Sequence, residues 1–395
     1  MHVFTPDDGY HYFFGYYDIM PFDSQERFHL IHRVRFADRL PGPGDVAELG
    51  AVDLATGKFI KYAETTAWNF QQGAMLRRFC GDSQIIYNVR DSSTPSGFAS
   101  EILDTVTGEK RRLPCPAADV SKDGNYLLSV NFSRIYDFRP GYGYAGVPDP
   151  RKDVPAPEDD GIYLTDVRAG KTRLIIDYAR IRREFPQPPF SDAKLLVNHI
   201  TFNPAGDRFL FLLRNFPEPG GCGWKTQLIV SDLEGNMKKL TGYCVNSHYN
   251  WKNDREILIV SSLRTGENNY ALCLIDSESG EAVRLPEPNP GWDIHCLYSP
   301  DRHFISGDSY PGGTRGATRS IWLIDTERHI MTEPVRVATV IPDIVDIRCD
   351  LHARWSPSGR LLSFDSTHNG RRTSVLVTAE ELLNHEGPPM TFDCL

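Results

Sequence analysis

The chain has 395 residues, 40% of them hydrophobic and 24% charged, with a formal net charge of −9. These are globular values, and the acidic balance excludes a binder of duplex nucleic acid, which needs a basic face. No stretch approaches the roughly 18 apolar residues of a membrane span, and the start, MHVFTPDDGYHYFF, has neither the basic nor the apolar region of a signal peptide, so the expected location is cytoplasmic.

Seven copies of one unit follow along the chain. They are PFDSQERFHLIHRV (21–34), RFCGDSQIIYNV (78–89), VSKDGNYLLSV (120–130), FNPAGDRFLFLL (202–213), WKNDREILIVSS (251–262), YSPDRHFISGD (298–308) and WSPSGRLLSFD (355–365). The fourth, sixth and seventh are the clearest: an aromatic, a Pro-containing turn, then a short β-rich run. Most copies are followed by a second hairpin of the form apolar run, Asp, Gly-containing turn, as in AVDLATGKFIKY (51–62) and LCLIDSESGEAVRL (272–285). Two hairpins make four strands per unit. The pattern predicts an all-β fold, a seven-bladed β-propeller of four-stranded blades spanning 1–395 as one domain. The one helical stretch, TAEELLNH (378–385), is short. The seventh unit ends at TSVLVT (373–378), which leaves a segment within 1–17 as the candidate for its outer strand. The eight cysteines form no CxxC pair and read as reduced thiols.

Naming the strands A to D from the channel outward, the D-to-A connections and the B–C loops emerge on one face. A residue just before strand A sits beside the channel there, and one ending strand B stands over the same surface. Three residues before the aromatic stand His199 (NHITF), His248 (SHYNW), His295 (IHCLY) and His352 (LHARW); the other units carry Asp18, Met75 and Ala117 in a looser alignment. With histidine only 12 of 395 residues, this phase points to a site, while a structural histidine bonding the next blade is the competing reading. Asp350, two positions before His352, shares its face if the segment is extended. Asp350 and His352, with His295 from the neighbouring blade, make a set of O and N ligands for Mn²⁺, Fe²⁺ or Zn²⁺.

Arg33, Arg90, Arg134, Arg214 and Arg264 all fall at strand-B ends. Guanidinium groups there suit bidentate recognition of a carboxylate, with Asp308 and Asp365 as alternative partners for some of them. The B–C loops of units three (134–161) and four (215–225) are long and rich in Gly, Pro and aromatics. Tyr142, Tyr144 and Trp224 are candidates to stack on a sugar ring or to pack between blades. Gln72, in NFQQG ahead of the second unit's strand A, offers an amide to the same mouth.

On these residues the chain resembles the cytoplasmic oligogalacturonate lyases, seven-bladed propellers of about this length. The likeness is best from NHITFNPAGDRFLF to LHARWSPSGRLLSFDSTHNG; the first three units match in architecture alone. The Pro-containing turn is common to many TolB-like propellers, and the phased histidines are the specific part. The resemblance implies His248 as the Brønsted base and a metal, usually manganese, held by His295 and His352. The family's last-blade motif, Gln-x-x-His-x-His, here reads Ile347-Arg348-Cys349-Asp350-Leu351-His352. Asp350 can still ligate; Ile347 cannot. The family's arginine for the substrate carboxylate falls near GWKTQLIV, where this chain has Lys225.

These features imply metal-assisted β-elimination on an acidic, uronic-acid-containing oligosaccharide other than digalacturonate. His248 takes the proton, Lys225 or Arg214 binds the carboxylate, and His199, Arg90, Arg264, Trp224 and Gln72 hold substrate. Two further readings of the same face stay open: a glycoside hydrolase, and a propeller that presents this face to a protein partner. Sugar, linkage and oligomeric state are open.

Overall fold

The structure, a computed structural model, describes residues 1–186, 190–217, 224–310, 317–385 and 388–391. Most of the 215–225 loop, with Cys222, lies outside the described residues, as does Cys394. The described cysteines are free thiols. Among the described residues no helix is long and apolar enough to cross a membrane.

Seven four-stranded antiparallel sheets form, as the repeats predict. Blade one is His11–Phe13, Phe28–Val34, Ala47–Asp53 and Lys58–Thr65; blades two to six follow in sequence order. Blade seven takes Arg354–Trp355, Leu361–Ser366 and Thr373–Thr378 and is completed by His2–Val3, with His2 opposite Leu376 and Val3 opposite Val375. The N-terminal segment thus closes the ring. Next to it, Phe4 is buried against the His29 ring, 4.8 Å between centroids. Deleting residues 1–4 is expected to cost about 2–3 kcal/mol from the lost Phe4 burial alone. A thermal melt would read this as a lower Tm; an unchanged Tm would show that closure does not depend on this strand.

The repeated residues have local causes. The residue opening the turn ties it: Ser121, after Val120, and Asn203, Ser299 and Ser356, each after an aromatic, accept from the backbone N–H five residues on, at 2.9, 3.1, 3.0 and 3.1 Å. The Asp at the end of strand C accepts from the next turn's amides, as Asp276 does from Glu278 and Ser279. The aromatics clamp blade to blade: Trp355 Nε1 donates to Ser306 Oγ at 3.1 Å and Trp251 Nε1 to the Thr201 carbonyl at 3.4 Å.

Two places depart from the repeat. In blade one the chain leaves the sheet after Phe13 and returns at Phe22, which bridges His29, so residues 14–20 run into the channel. In blade three the long connection contains a helix, Phe132–Phe138, whose N-cap Asn131 accepts from Ser133 and Arg134.

Candidate active site

The phased position is a bulge in the inner strand of blades four and five and lies two residues ahead of that strand in blades six and seven. Ladder register jumps between Asn198 and Ile200 and between Asn246 and Tyr249. His199 and His352 take left-handed backbone angles, φ +46° and +47°, as does Met75 at +54°. Such a bulge removes a residue from the strand's alternation and re-aims its side chain. The four imidazoles accordingly gather around one ring: Tyr16, from the excursion of blade one, lies 5.0 Å from His199, 5.2 Å from His352, 6.1 Å from His295 and 6.5 Å from His248, between centroids.

Three of the histidines form a single polar cluster. His295 Nδ1 lies 2.6 Å from Asp308 Oδ1, and His352 Nδ1 lies 2.7 Å from the Gly15 carbonyl. Both partners only accept, so each Nδ1 carries a proton and each ring turns its Nε2 toward the other. The two Nε2 atoms are 3.3 Å apart. His248 Nδ1 is 3.0 Å from Asp293 Oδ1, which turns its Nε2 toward the Tyr310 hydroxyl at 3.5 Å; that hydroxyl is also 3.2 Å from His295 Nε2. Burial lowers the His248 pKa to about 4, against the opposing pull of Asp293, so the ring is neutral at pH 7.

His295, Asp350 and His352, all buried, bring ligand atoms within 4.8 Å of one another and could hold a metal ion. The donor set fits one. Two imidazole Nε2 atoms face each other at 3.3 Å, a spacing that a proton or a cation between them satisfies. Each ligating imidazole is oriented through its other nitrogen, as metal-binding histidines generally are. Asp350 sits between two guanidiniums, with Arg319 Nη1 2.8 Å from Oδ1 and Arg348 Nη2 2.8 Å from Oδ2. Oδ2 makes no hydrogen bond, since Arg348 approaches it off the required direction, and it keeps a free lone pair. Burial alone would raise the Asp350 carboxyl; Arg319 and Arg348 outweigh it and hold it well below the usual range. Ile347 is buried and offers no donor.

The cluster opens into a cavity of about 350 Å³ lined by His248, Asp293, Tyr310, Arg214, Lys225 and Trp224, with Tyr16 and Tyr142. Arg214 makes no ion pair there among the described residues, and its Nε is buried without a partner. Burial pushes its pKa down, which states the cost of an unpaired cation. Trp224, 39% exposed, packs at the rim against Phe138.

Other sequence-derived candidates lie elsewhere. Arg90 donates to the Ala145 carbonyl and stacks on Phe98, away from the cavity. The Arg264 side chain is 82% exposed beside Glu267. Gln72 and His199 line a second cavity of about 270 Å³, across Tyr16, where His199 Nε2 bonds Asp18 Oδ2 at 2.9 Å. The grouping of strand-B arginines over the mouth therefore holds for Arg214 alone. Arg33 pairs with Glu48 at 2.6 Å, and Arg134, on the blade-three helix, is buried against Asp149 at 3.1 Å. None of the five pairs with Asp308 or Asp365: Asp308 serves His295, and Asp365 pairs with Arg354 at 3.2 Å. Tyr144 is stacked on Phe132 at 4.5 Å, closed to a sugar.

Sequence reasoning missed Tyr16, Tyr310, Asp293, Arg319 and Arg348. One signal was present: Asp-x-His occurs as Asp293-Ile294-His295 and again as Asp350-Leu351-His352. The two aspartates do different things, because Asp293 reaches back to His248 of the preceding blade.

No family model matches the sequence, and no curated protein matches it. Among solved structures, an oligogalacturonate lyase in complex with manganese superposes with a TM-score of 0.68 at 16% identity, over 95% of this chain and 92% of that one. An oligogalacturonate lyase from Vibrio parahaemolyticus gives 0.68 at 12% identity with the same coverage. The tricorn protease gives 0.53 at 14% identity, covering 96% of this chain and 35% of the protease. In fold, this chain is similar over nearly its whole length to oligogalacturonate lyases, as its phased histidines had implied.

Proposed function

We propose that the protein is a metal-assisted lyase that cleaves a uronic-acid-containing oligosaccharide by β-elimination. The observation that carries the reading is a cavity lined by a neutral, carboxylate-oriented imidazole, His248, and by Arg214, which makes no ion pair among the described residues, with the buried His295–Asp350–His352 group just behind His248 and Tyr310. Elimination needs those three functions: a base for the C5 proton, stabilisation of the charge that develops on the carboxylate, and a cation to hold that carboxylate.

His248 Nε2 accepts the C5 proton, and Asp293 at Nδ1 stabilises the imidazolium that forms. The C4–O bond then breaks as the C4–C5 double bond forms. Arg214 offers the substrate carboxylate a planar fork and Lys225 a point charge. Trp224 at the rim and Tyr142 in the cavity wall flank the sugar ring. When bound at His295, His352 and Asp350, a divalent ion, manganese by analogy with the solved lyase, supplies Lewis-acid stabilisation of the enolate-like charge.

The test is incubation with a panel of uronic-acid oligosaccharides, following the ultraviolet absorbance of the conjugated product. Chelation is expected to abolish turnover and added Mn²⁺ to restore it. Cleavage without an unsaturated product would establish the glycoside hydrolase instead. Arg214→Ala is expected to raise KM by about 10–100-fold, the worth of one charge-assisted hydrogen-bonded pair. An unchanged KM would take Arg214 out of carboxylate binding.

A further inference from the structure

Elimination requires a proton for the departing oxygen as well as a base, and the residues described so far do not supply it. The other tyrosines around the channel each have a hydrogen-bond partner. Tyr17 donates to the Tyr249 carbonyl at 2.5 Å, and Tyr249 to the His199 carbonyl at 2.5 Å. Tyr142 accepts from Arg348 at 3.0 Å, Tyr144 accepts from Asn88 at 2.9 Å, and Tyr310 is shared between His248 and His295. The Tyr16 side chain is also mostly buried, but its ring lines the cavity and its hydroxyl makes no hydrogen bond to another described residue. That hydroxyl is free to bond a ligand in the cavity.

Its position is held firmly. The Tyr16 carbonyl accepts from Arg354 Nε at 3.1 Å, and the Gly15 carbonyl before it accepts from His352 Nδ1 at 2.7 Å. Gly15 adopts φ +144°, and a Cβ there would meet the Gln72 carbonyl at 3.0 Å, so the chain enters the channel at a glycine. The phenol is thereby fixed in the wall of the cavity that holds His248, with 6.5 Å between the two ring centroids, and in the same lining as Arg214, which makes no ion pair among the described residues. Preorganisation of this kind is what a transferring group needs.

We infer that Tyr16 is the proton donor to the leaving oxygen. The inference rests on the elimination reading above. As the C4–O bond breaks, the Tyr16 O–H proton passes to the departing sugar oxygen while His248 Nε2 holds the C5 proton; transfer from the imidazolium to the phenolate through water restores both groups. Charge and protons balance within one turnover, with no further reactant.

The experiment compares the full-length protein with Tyr16→Phe on two uronides, one whose leaving group is a sugar and one carrying a 4-O-(4-nitrophenyl) group in its place. On the sugar substrate the variant is expected to lose about 10²–10⁴-fold in kcat, the usual worth of general acid catalysis. On the nitrophenyl substrate, whose anion leaves unaided, it is expected to run near the wild-type rate, with an unchanged Tm. Equal losses on both substrates would make Tyr16 a packing residue and overturn the inference. So would full activity of Tyr16→Phe on the sugar substrate while the wild type eliminates, leaving the proposed function intact. A wild type that forms no unsaturated product from either substrate removes the elimination reading and the role of Tyr16 together.

Discussion

His248→Ala is expected to lower kcat/KM on the uronide substrate by about 10²–10⁴-fold, the range for loss of a general base, without loss of metal. The imidazole is buried at the cavity wall with Nδ1 held by Asp293, and Ser247 Oγ donates to the other Asp293 oxygen at 2.7 Å. Removing the ring therefore leaves Asp293 one of its partners. The rings of His248 and His295 are 4.0 Å apart, close enough that His248 could itself reach an ion. Elemental analysis of the variant separates the two roles. Metal retained with turnover lost assigns the base; metal and turnover lost together would make His248 a third imidazole ligand and leave the base unassigned. Full activity would remove His248 from the chemistry.

The second large effect is on stability. Asp350→Ala is expected to cost about 3–5 kcal/mol, because it strips the carboxylate from two guanidiniums that are themselves buried, Arg319 and Arg348. Arg319 would keep the Ser309 carbonyl at 3.2 Å, and Arg348 would keep Tyr142 and the Val345 carbonyl. These bonds satisfy protons and leave the charges uncompensated. Denaturant midpoints measure the loss. His352→Ala leaves that ion group intact, so it is expected to lose metal with a much smaller shift in midpoint. If both variants bind metal as the wild type does, the His295–Asp350–His352 group is structural. The guanidiniums also compete with an ion for Asp350, so affinity is expected to depend more on the two imidazoles than on the carboxylate.

The blades were legible because their causes are local. An aromatic, a Ser or Asn that ties the turn five residues on, and an Asp before the next turn recur at fixed spacing, and each acts within a few residues of itself. The same regularity placed His199, His248, His295 and His352 at one phase. Blade one was harder to read, because its inner strand is split and its repeat begins only at Phe22. Arg134 was misplaced for a similar reason: Asn131 caps a helix where a loop was expected, and the helix turns the guanidinium inward to Asp149.

The sequence by itself determined the seven-fold repeat and the four histidines that come to the channel, since both follow from short-range periodicity. Tertiary structure alone decided what those residues do there. Asp293, two positions from His295, serves His248; Asp350 serves Arg319 and Arg348; and His199 falls on the far side of Tyr16 from the other three imidazoles. Tyr16 meets His352 only because the ring closes, bringing together residues more than three hundred positions apart. Contacts between blades and across a closure have no period along the chain, and their geometry is set by packing in three dimensions.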